Sequence, residues 1–405
     1  MQSSKPDLKY GLRKTTPKKQ KTAVQEEGGT RLSRQVNVSL CMIVKNEEAV
    51  IGRTLEKADR YVDEIVIVDT GSTDRTKEIC RKHKAKIYDF KWTASFAEAR
   101  NYGLGKAAGK WILWLDADEE LEVEDEQLWR SSLEQSTPLL WAVPIINYYG
   151  KEPADPNRAY FAAQHRVFRN GAGLRFAGAI HEQLQVGQIP DDALELRQLP
   201  ARIHHYGYMD AITGEKNKHH RNLSLLEREK ANEDYSPWVD YHLASEYYRV
   251  NQYEEAFANL NISIRRFVSA GKLPPSLIYK MKYDILLALG SIGSAEQGID
   301  RAIQLYPDYT DLHYYRGVIL FIKEKYEAAE AAFRYCLELG EERLPYLILK
   351  GVGSFYALYL IGRCREESGD MEGAKVFYKR AIDLYPGYDE ARERLQKLAH
   401  DDKQA

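Results

Sequence analysis

Trp111-Ile112-Leu113-Trp114-Leu115-Asp116-Ala117-Asp118 is the stretch on which the reading of this chain turns. Its apolar run reads as a buried strand of an open α/β sheet, and the carboxylates behind it fall where such a strand opens into the ligand crevice. Residues two apart on an extended backbone point the same way, so Asp116 and Asp118 can share one hard divalent cation, Mg²⁺ or Mn²⁺, and that cation can hold a diphosphate. A sugar nucleotide fits that description. Acidic pairs behind strands are also common as solvated loops, so the neighbouring segments decide between the two.

Upstream, strands and helices alternate. Val38 to Val44 is an apolar run that ends in Lys45-Asn46-Glu47-Glu48, and a helix is expected from about Ala49 to Arg60. Glu64 to Val68 is β-branched and ends in Asp69-Thr70-Gly71-Ser72-Thr73-Asp74. A helix over Arg75 to His83, a strand over Lys86 to Asp89 and an amphipathic segment from Phe96 to Ala108 follow. This β-α-β-α-β order implies a mainly parallel, Rossmann-like sheet with helices on both faces. It puts Glu47, Asp69, Asp89 and Asp118 on one edge. Gly71 permits a tight turn near a ligand, and Ser72 or Thr73 reads as the cap of the next helix. Asp69 reads as a ligand contact, because a buried strand tip seldom carries an unpaired carboxylate. Glu119 and Glu120 read as a solvated helix start.

The chain has 405 residues, 44% of them hydrophobic, which suffices for two or three domains. A formal charge of −2 gives no global case for nucleic acid. Residues 1–35 hold nine Lys/Arg against three Asp/Glu, a net +6, with almost no apolar period, and read as a disordered basic tail. No run approaches a signal-peptide core or a transmembrane segment. Cys41, Cys80, Cys336 and Cys364 lack metal-ligand spacing and fit reduced thiols in a cytoplasmic protein.

From about Trp238 the pattern is helical, with recurring punctuation. Asn251-Gln-Tyr-Glu-Glu-Ala256, Lys325-Tyr-Glu-Ala-Ala329 and Gly369-Asp-Met-Glu-Gly-Ala374 each separate two amphipathic helices, and Pro307 and Pro386 each close an Ile-x-Leu-Tyr-Pro signature. This is the tetratricopeptide pattern, with a small Ala where paired helices cross. Four units are expected, the one around Ser276 to Pro307 being degenerate, with Ser294-Ala295 in place of Tyr-Glu. Most of the tyrosines, such as Tyr247, Tyr248, Tyr314, Tyr315 and Tyr359, are expected to pack between layers. Such solenoids bind extended peptides or mediate self-association. The expected organisation is a tail over 1–35, a catalytic domain over 36–235 and the repeats over 236–400.

Four segments, Ser39-Leu-Cys-Met-Ile-Val-Lys-Asn-Glu47, Ile65-Val-Ile-Val-Asp-Thr-Gly-Ser-Thr-Asp74, Phe96-Ala-Glu-Ala-Arg-Asn101 and Trp114-Leu-Asp-Ala-Asp118, together resemble the nucleotide-binding half of family 2 glycosyltransferases, in order and spacing. The resemblance implies the nucleotide-diphospho-sugar transferase fold. It implies that Glu47 and Asp69 contact the uridine, that Arg100 lies along ribose and diphosphate, and that Asp116 and Asp118 form the D-x-D pair around nucleotide and metal. Arg166-Val-Phe-Arg169, Phe176 to Glu182 and His204-His205-Tyr206-Gly207-Tyr208 resemble the acceptor side of a narrower set. That set contains lipopolysaccharide-core glucosyltransferases and sublancin-type peptide cysteine glycosyltransferases. By analogy with that fold, His205 is the candidate third metal ligand.

Direct displacement at an anomeric carbon needs one base on the acceptor face, and a single base without a carboxylate nucleophile implies inversion. His181-Glu182 supplies it. Glu182 matches the acidic base usual in the family, whereas His181 would suit a thiol acceptor, and the two stay open as alternatives. The expected reaction is transfer of a hexose from a UDP-sugar, UDP-glucose or UDP-N-acetylhexosamine, to a peptide or protein side chain, with cysteine among the candidates. A cell-envelope glycan or lipid-linked acceptor is the alternative, and a non-catalytic scaffold with a transferase-like domain is the competing class.

Overall fold

Side-chain alternation builds the sheet from its first strand. In β1 (Val38–Val44), Val38, Leu40, Met42 and Val44 pack into one apolar cluster and Cys41 into another, so both faces are buried. The computed structural model describes residues 37–135, 139–186, 197–209, 216–343 and 345–401; the basic tail expected over residues 1–35 lies outside them. β2 (Glu64–Asp69) and β4 (Trp111–Trp114) repeat the pattern, with Ile65, Ile67, Trp111 and Leu113 in the first cluster and Val66, Ile112 and Trp114 in the second, whereas the edge strand β3 (Lys86–Asp89) is only partly buried, Ile87 against the first and Tyr88 against the second. The helices α1 (Ile51–Ala58), α2 (Thr76–Lys82) and α3 (Phe96–Leu104) fall within the expected segments, α3 ending four residues early at Gly105.

The remaining strands are β5 (Glu119–Val123), β6 (Leu140–Gly150), β7 (Ala159–Arg169), β8 (Arg175–Ala177), β9 (Gln183–Gln185), β10 (Ala201–Met209) and β11 (Ile348–Leu349). The main sheet runs β3-β2-β1-β4-β7-β6-β10-β5, with β11 joined to β7. Its first four strands are parallel; β4/β7, β6/β7 and β5/β10 are antiparallel. The mainly parallel sheet expected is therefore a mixed one. The long strands β6 and β7 pair antiparallel, without the crossover helix that a parallel pair requires. Asp69 is in register with Val44 and Asp89, which puts those strand ends on one edge.

Two local expectations fail at the end of β4. The Glu119 N–H donates to the Asp116 carbonyl at 3.1 Å, so the chain turns there and the extended-backbone argument for Asp116 and Asp118 does not hold. Glu119 opens β5, not a solvated helix, and is only 1% exposed.

Beyond Lys216–Lys230 come four antiparallel helix pairs among the described residues: Pro237–Arg249 with Tyr253–Ser269, Ser276–Ala288 with Ile292–Leu305, Thr310–Ile322 with Tyr326–Leu339, and Phe355–Glu367 with Met371–Leu384. Asp389–Asp401 closes the array. Ala256, Ala295, Ala329 and Ala374 are all fully buried, so the degenerate unit keeps its small residue at the crossing. Sheet and array belong to one compact unit. β11 lies in the connection between the third and fourth pairs and adds to β7 at Tyr160 and Phe161. Among the described residues no helix is long and apolar enough to cross a membrane. All four cysteines are unpaired and buried.

Candidate active site

The loops after β1 and β2 are laced together at the parallel edge. Asn46 accepts from the Thr73 N–H at 2.8 Å, and its own N–H donates to the Ser72 hydroxyl at 3.0 Å. The Glu48 N–H donates to Asp74 at 3.1 Å and the Glu47 N–H to Thr76 Oγ1 at 2.8 Å. Ser72 and Thr73 therefore do not cap α2, whose N-cap position is Arg75, without a side-chain cap. They hold one ligand-edge loop against the other, which turns on Gly71 at a φ of +109°. Asp69 ends β2 with its side chain buried. Its Oδ1 accepts from the Gly71 and Ser72 N–H groups, both at 2.9 Å, and Lys77 Nζ is 3.4 Å away. Burial would raise its pKa, yet the bonds from Ser72 and Gly71 and the Lys77 charge hold it below the ordinary carboxylate value. Its Oδ2 is buried and has no hydrogen-bond partner among the described residues.

Across β4 runs a ladder of alternating charge. α3 carries Arg100 over the Trp114 ring, 4.7 Å from its centroid, where Nη2 donates to Asp116 Oδ1 at 3.1 Å and Nε donates to Glu182. Arg166, on β7, reaches Asp116 Oδ2 at 3.8 Å with one terminal nitrogen and donates to Glu119 with the other. Glu119 also accepts from the Asp116 N–H at 2.8 Å. Burial alone would raise the Asp116 pKa, but the two guanidinium groups hold it below the ordinary value.

Asp118 faces elsewhere. Its Oδ1 stands 3.7 Å from His205 Nε2, and the Tyr206 N–H donates to its carbonyl at 3.2 Å. His205 Nδ1 lies 2.8 Å from Asn147 Oδ1 on β6, a contact that orients the ring with Nε2 toward Asp118. A Cβ on Gly207 would sit 2.4 Å from Nε2 and 2.6 Å from Asp118 Oδ2, so the glycine leaves a cradle flanked by one nitrogen and one carboxylate oxygen. These donors fit a divalent cation, the imidazole favouring Mn²⁺ over Mg²⁺. No group of three or more His, Cys, Asp or Glu is gathered for a metal among the described residues. The pair therefore offers two donors, and Asp116, engaged by arginines, is not in it.

The two base candidates diverge. Glu182 joins the ladder through Arg100, with its side chain 7% exposed. His181 has a φ of +50° and turns its ring onto His242, centroids 4.0 Å apart. Glu47 is half-buried on the edge. Arg166 belongs to a motif noted in the sequence, but its role needed the β4/β7 register. Asn147 and Glu119 carried no sequence signal, because their partners are strands apart.

Residues 39–184 match the family described as glycosyl transferase family 2, and residues 281–342 and 356–388 match tetratricopeptide repeats. The chain thus carries a family 2 glycosyltransferase domain followed by tetratricopeptide repeats. It is 30% identical over 274 residues to a TPR repeat-containing protein of Synechococcus elongatus, covering 65% of this chain and 64% of that protein. It is 24% identical over 307 residues to the SPbeta prophage-derived glycosyltransferase SunS of Bacillus subtilis, covering 73% and 69%. An uncharacterized glycosyltransferase of Rickettsia typhi is 35% identical over 149 residues, covering 36% of this chain and 50% of that one. The chain therefore spans just under two thirds of the length of the Synechococcus relative.

Proposed function

We propose that the chain is a metal-dependent inverting glycosyltransferase that moves a hexose from a UDP-sugar, with UDP-glucose the leading donor, to a peptide or protein side chain, cysteine included. The observation that carries this reading is the cradle beside Gly207, flanked by Asp118 and His205 next to the Arg100–Asp116–Arg166 ladder. Asp69, whose Oδ2 has no hydrogen-bond partner among the described residues, and Glu47 take the uridine at the strand edge. Arg100 borders the diphosphate, Asp116 holds Arg100 in place, and Arg166 in turn holds Asp116. A divalent cation between Asp118 and His205 would supply neutralisation of the departing diphosphate. Glu182, in contact with Arg100, takes the proton of the acceptor O–H or S–H as that atom bonds to the anomeric carbon and the carbon–oxygen bond to the diphosphate breaks. His181 is the less suited base, since its ring stacks on His242. The resemblance to sublancin-type enzymes and the repeat array support a peptide acceptor, and the buried thiols support a cytoplasmic setting.

Thermal melting with UDP and Mn²⁺ tests it. A ligand that binds only the folded chain stabilises it by roughly 2.7 kcal/mol at about a hundred times its Kd, so the melting temperature rises. Hydrolysis of several UDP-sugars then ranks the donors. No shift, with Asp118→Ala behaving like the parent, favours the scaffold reading.

A further inference from the structure

A cleft of about 190 Å³ lies between the β8–β9 hairpin, the helix Lys216–Lys230 and the first helix of the array, with His181 and Gln183, the chain neighbours of Glu182, in its lining. Its lining includes Ile180, Leu226 and Val239, which pack together in one buried cluster with two of the three drawn from the helical half, and the polar residues Gln183, Gln185, Glu229 and Ser236. Three rings border it in a column: His181 on His242 at 4.0 Å and 13°, and His242 beside Trp238 at 6.1 Å and 24°. His242 Nε2 is buried without a hydrogen-bond partner among the described residues. Burial lowers the pKa of the His242 imidazole well below its ordinary value, so this ring brings no positive charge at neutral pH. The Glu229 carboxylate on this rim already accepts from the Ala179 N–H at 3.2 Å.

We propose that this cleft anchors one apolar or aromatic side chain of a peptide acceptor, and so fixes which neighbouring residue of that peptide reaches Glu182. The inference rests on the glycosyltransferase reading. Size favours a single side chain, since the cleft is below the roughly 300–1,000 Å³ of pockets that take drug-sized ligands. The ring column of His181, His242 and Trp238 suits an apolar or aromatic group, held by stacking, while the polar rim can take the peptide backbone beside it. His181 and Glu182 are consecutive, so the anchor and the modified residue are near neighbours in the peptide, about 3.8 Å of chain separating each residue from the next.

The test uses the full chain with UDP-glucose, Mn²⁺ and peptide libraries centred on Cys, Ser or Thr with random flanks, read by mass spectrometry. The expected product pool is enriched in Leu, Met, Phe, Tyr or Trp at one fixed offset from the modified residue. Trp238→Ala flattens that enrichment and raises the KM of the best peptide about tenfold, which corresponds to roughly 1.4 kcal/mol, while the UDP-glucose KM stays within about twofold. Trp238→Phe, which keeps a ring, retains the enrichment and controls for folding. The proposal is overturned if enrichment survives Trp238→Ala, or if the parent hydrolyses UDP-glucose yet glycosylates no peptide. A parent that neither binds UDP nor hydrolyses the donor removes the enzymatic reading itself, and this inference with it.

Discussion

His205 Nε2 and Asp118 Oδ1 stand 3.7 Å apart across a gap that a glycine at 207 leaves open. Three strands or turns meet there. The turn after β4 delivers Asp118, β10 delivers His205 and Gly207, and Asn147 on β6 orients the imidazole from behind. The His205–Asn147 register is a parallel pairing, and it slips between His205 and Tyr208, just where the backbone carries Gly207 past the pair.

Gly207→Ala therefore fills the cradle without touching the nucleotide edge. Its Cβ would lie 2.4 Å from His205 Nε2, closer than any real contact, so the ring or the carboxylate must move. Calorimetric titration should show Mn²⁺-dependent UDP binding weakened by at least about tenfold, or roughly 1.4 kcal/mol, with metal-free UDP binding little changed. Equal losses with and without Mn²⁺ would sink the assignment of this pair as cation ligands.

Arg100→Met removes the rung shared by Asp116 and Glu182. Glu182 is 7% exposed and would lose its guanidinium partner, so the cost is of the order of 3–5 kcal/mol for a broken buried pair, discounted on the Asp116 side, where 39% of the side chain meets solvent. Adding Glu182→Gln removes the stranded charge. Urea unfolding should find the double variant more stable than Arg100→Met alone, with a coupling of roughly 0.5–3 kcal/mol. Strict additivity would mean that the two residues do not act as a pair.

The nucleotide half was legible because its information is local. β1 falls on the apolar run that ends at Lys45 and β3 on the strand expected between two helices, and the acidic edge follows from parallel order alone. What stayed hidden depends on partners far apart in sequence. Glu119 looks like a solvated residue beside Glu120 until β7 brings Arg166 to it, 47 residues on. Ser72 has the chemistry of a helix cap, but Asn46 competes for it across the loop after β1. Asp116 and Asp118 read as one clamp on an extended chain; a single hydrogen bond, Glu119 N–H to Asp116 O, turns that chain and gives them different partners.

Glu64 makes the fold sensitive to acid. It accepts from Ser39 Oγ, from the Ala108 N–H at 2.8 Å and from Lys86 at 2.6 Å. Burial would raise its pKa, but the bonds from Lys86, Ser39 and Ala108 hold it below 4.5. A carboxylate whose folded pKa is depressed stabilises the fold fully above its unfolded value and loses that contribution as pH falls through the folded value. Denaturation midpoints should therefore decline as pH drops below 4.5, and Glu64→Gln should be less stable at neutral pH but decline less. Parallel pH profiles for the two proteins would exclude Glu64 as a source of the slope.

Lys280 ties the helical array to the sheet. It is 4% exposed, donates to Asp311 and, at 3.0 Å, to the Tyr315 hydroxyl, and lies 5.4 Å above the ring of Tyr160 on β7. Asp311 also accepts from the Leu349 N–H of β11 at 3.3 Å, so one buried pair joins two repeat units to both β7 and the strand added to it. Burial pushes the Asp311 carboxyl above its ordinary value even with Lys280 beside it, which shows how poorly this site tolerates an unmatched charge. Lys280→Met should cost about 3–5 kcal/mol, because it leaves that carboxylate uncompensated, whereas Lys280→Met with Asp311→Leu should recover most of the loss. Hydrogen exchange at the Leu349 amide locates the effect: exchange speeds up in both variants, since each loses an acceptor or its anchor, while only the single variant melts early. If both variants melt alike, the pair is not what holds array and sheet together.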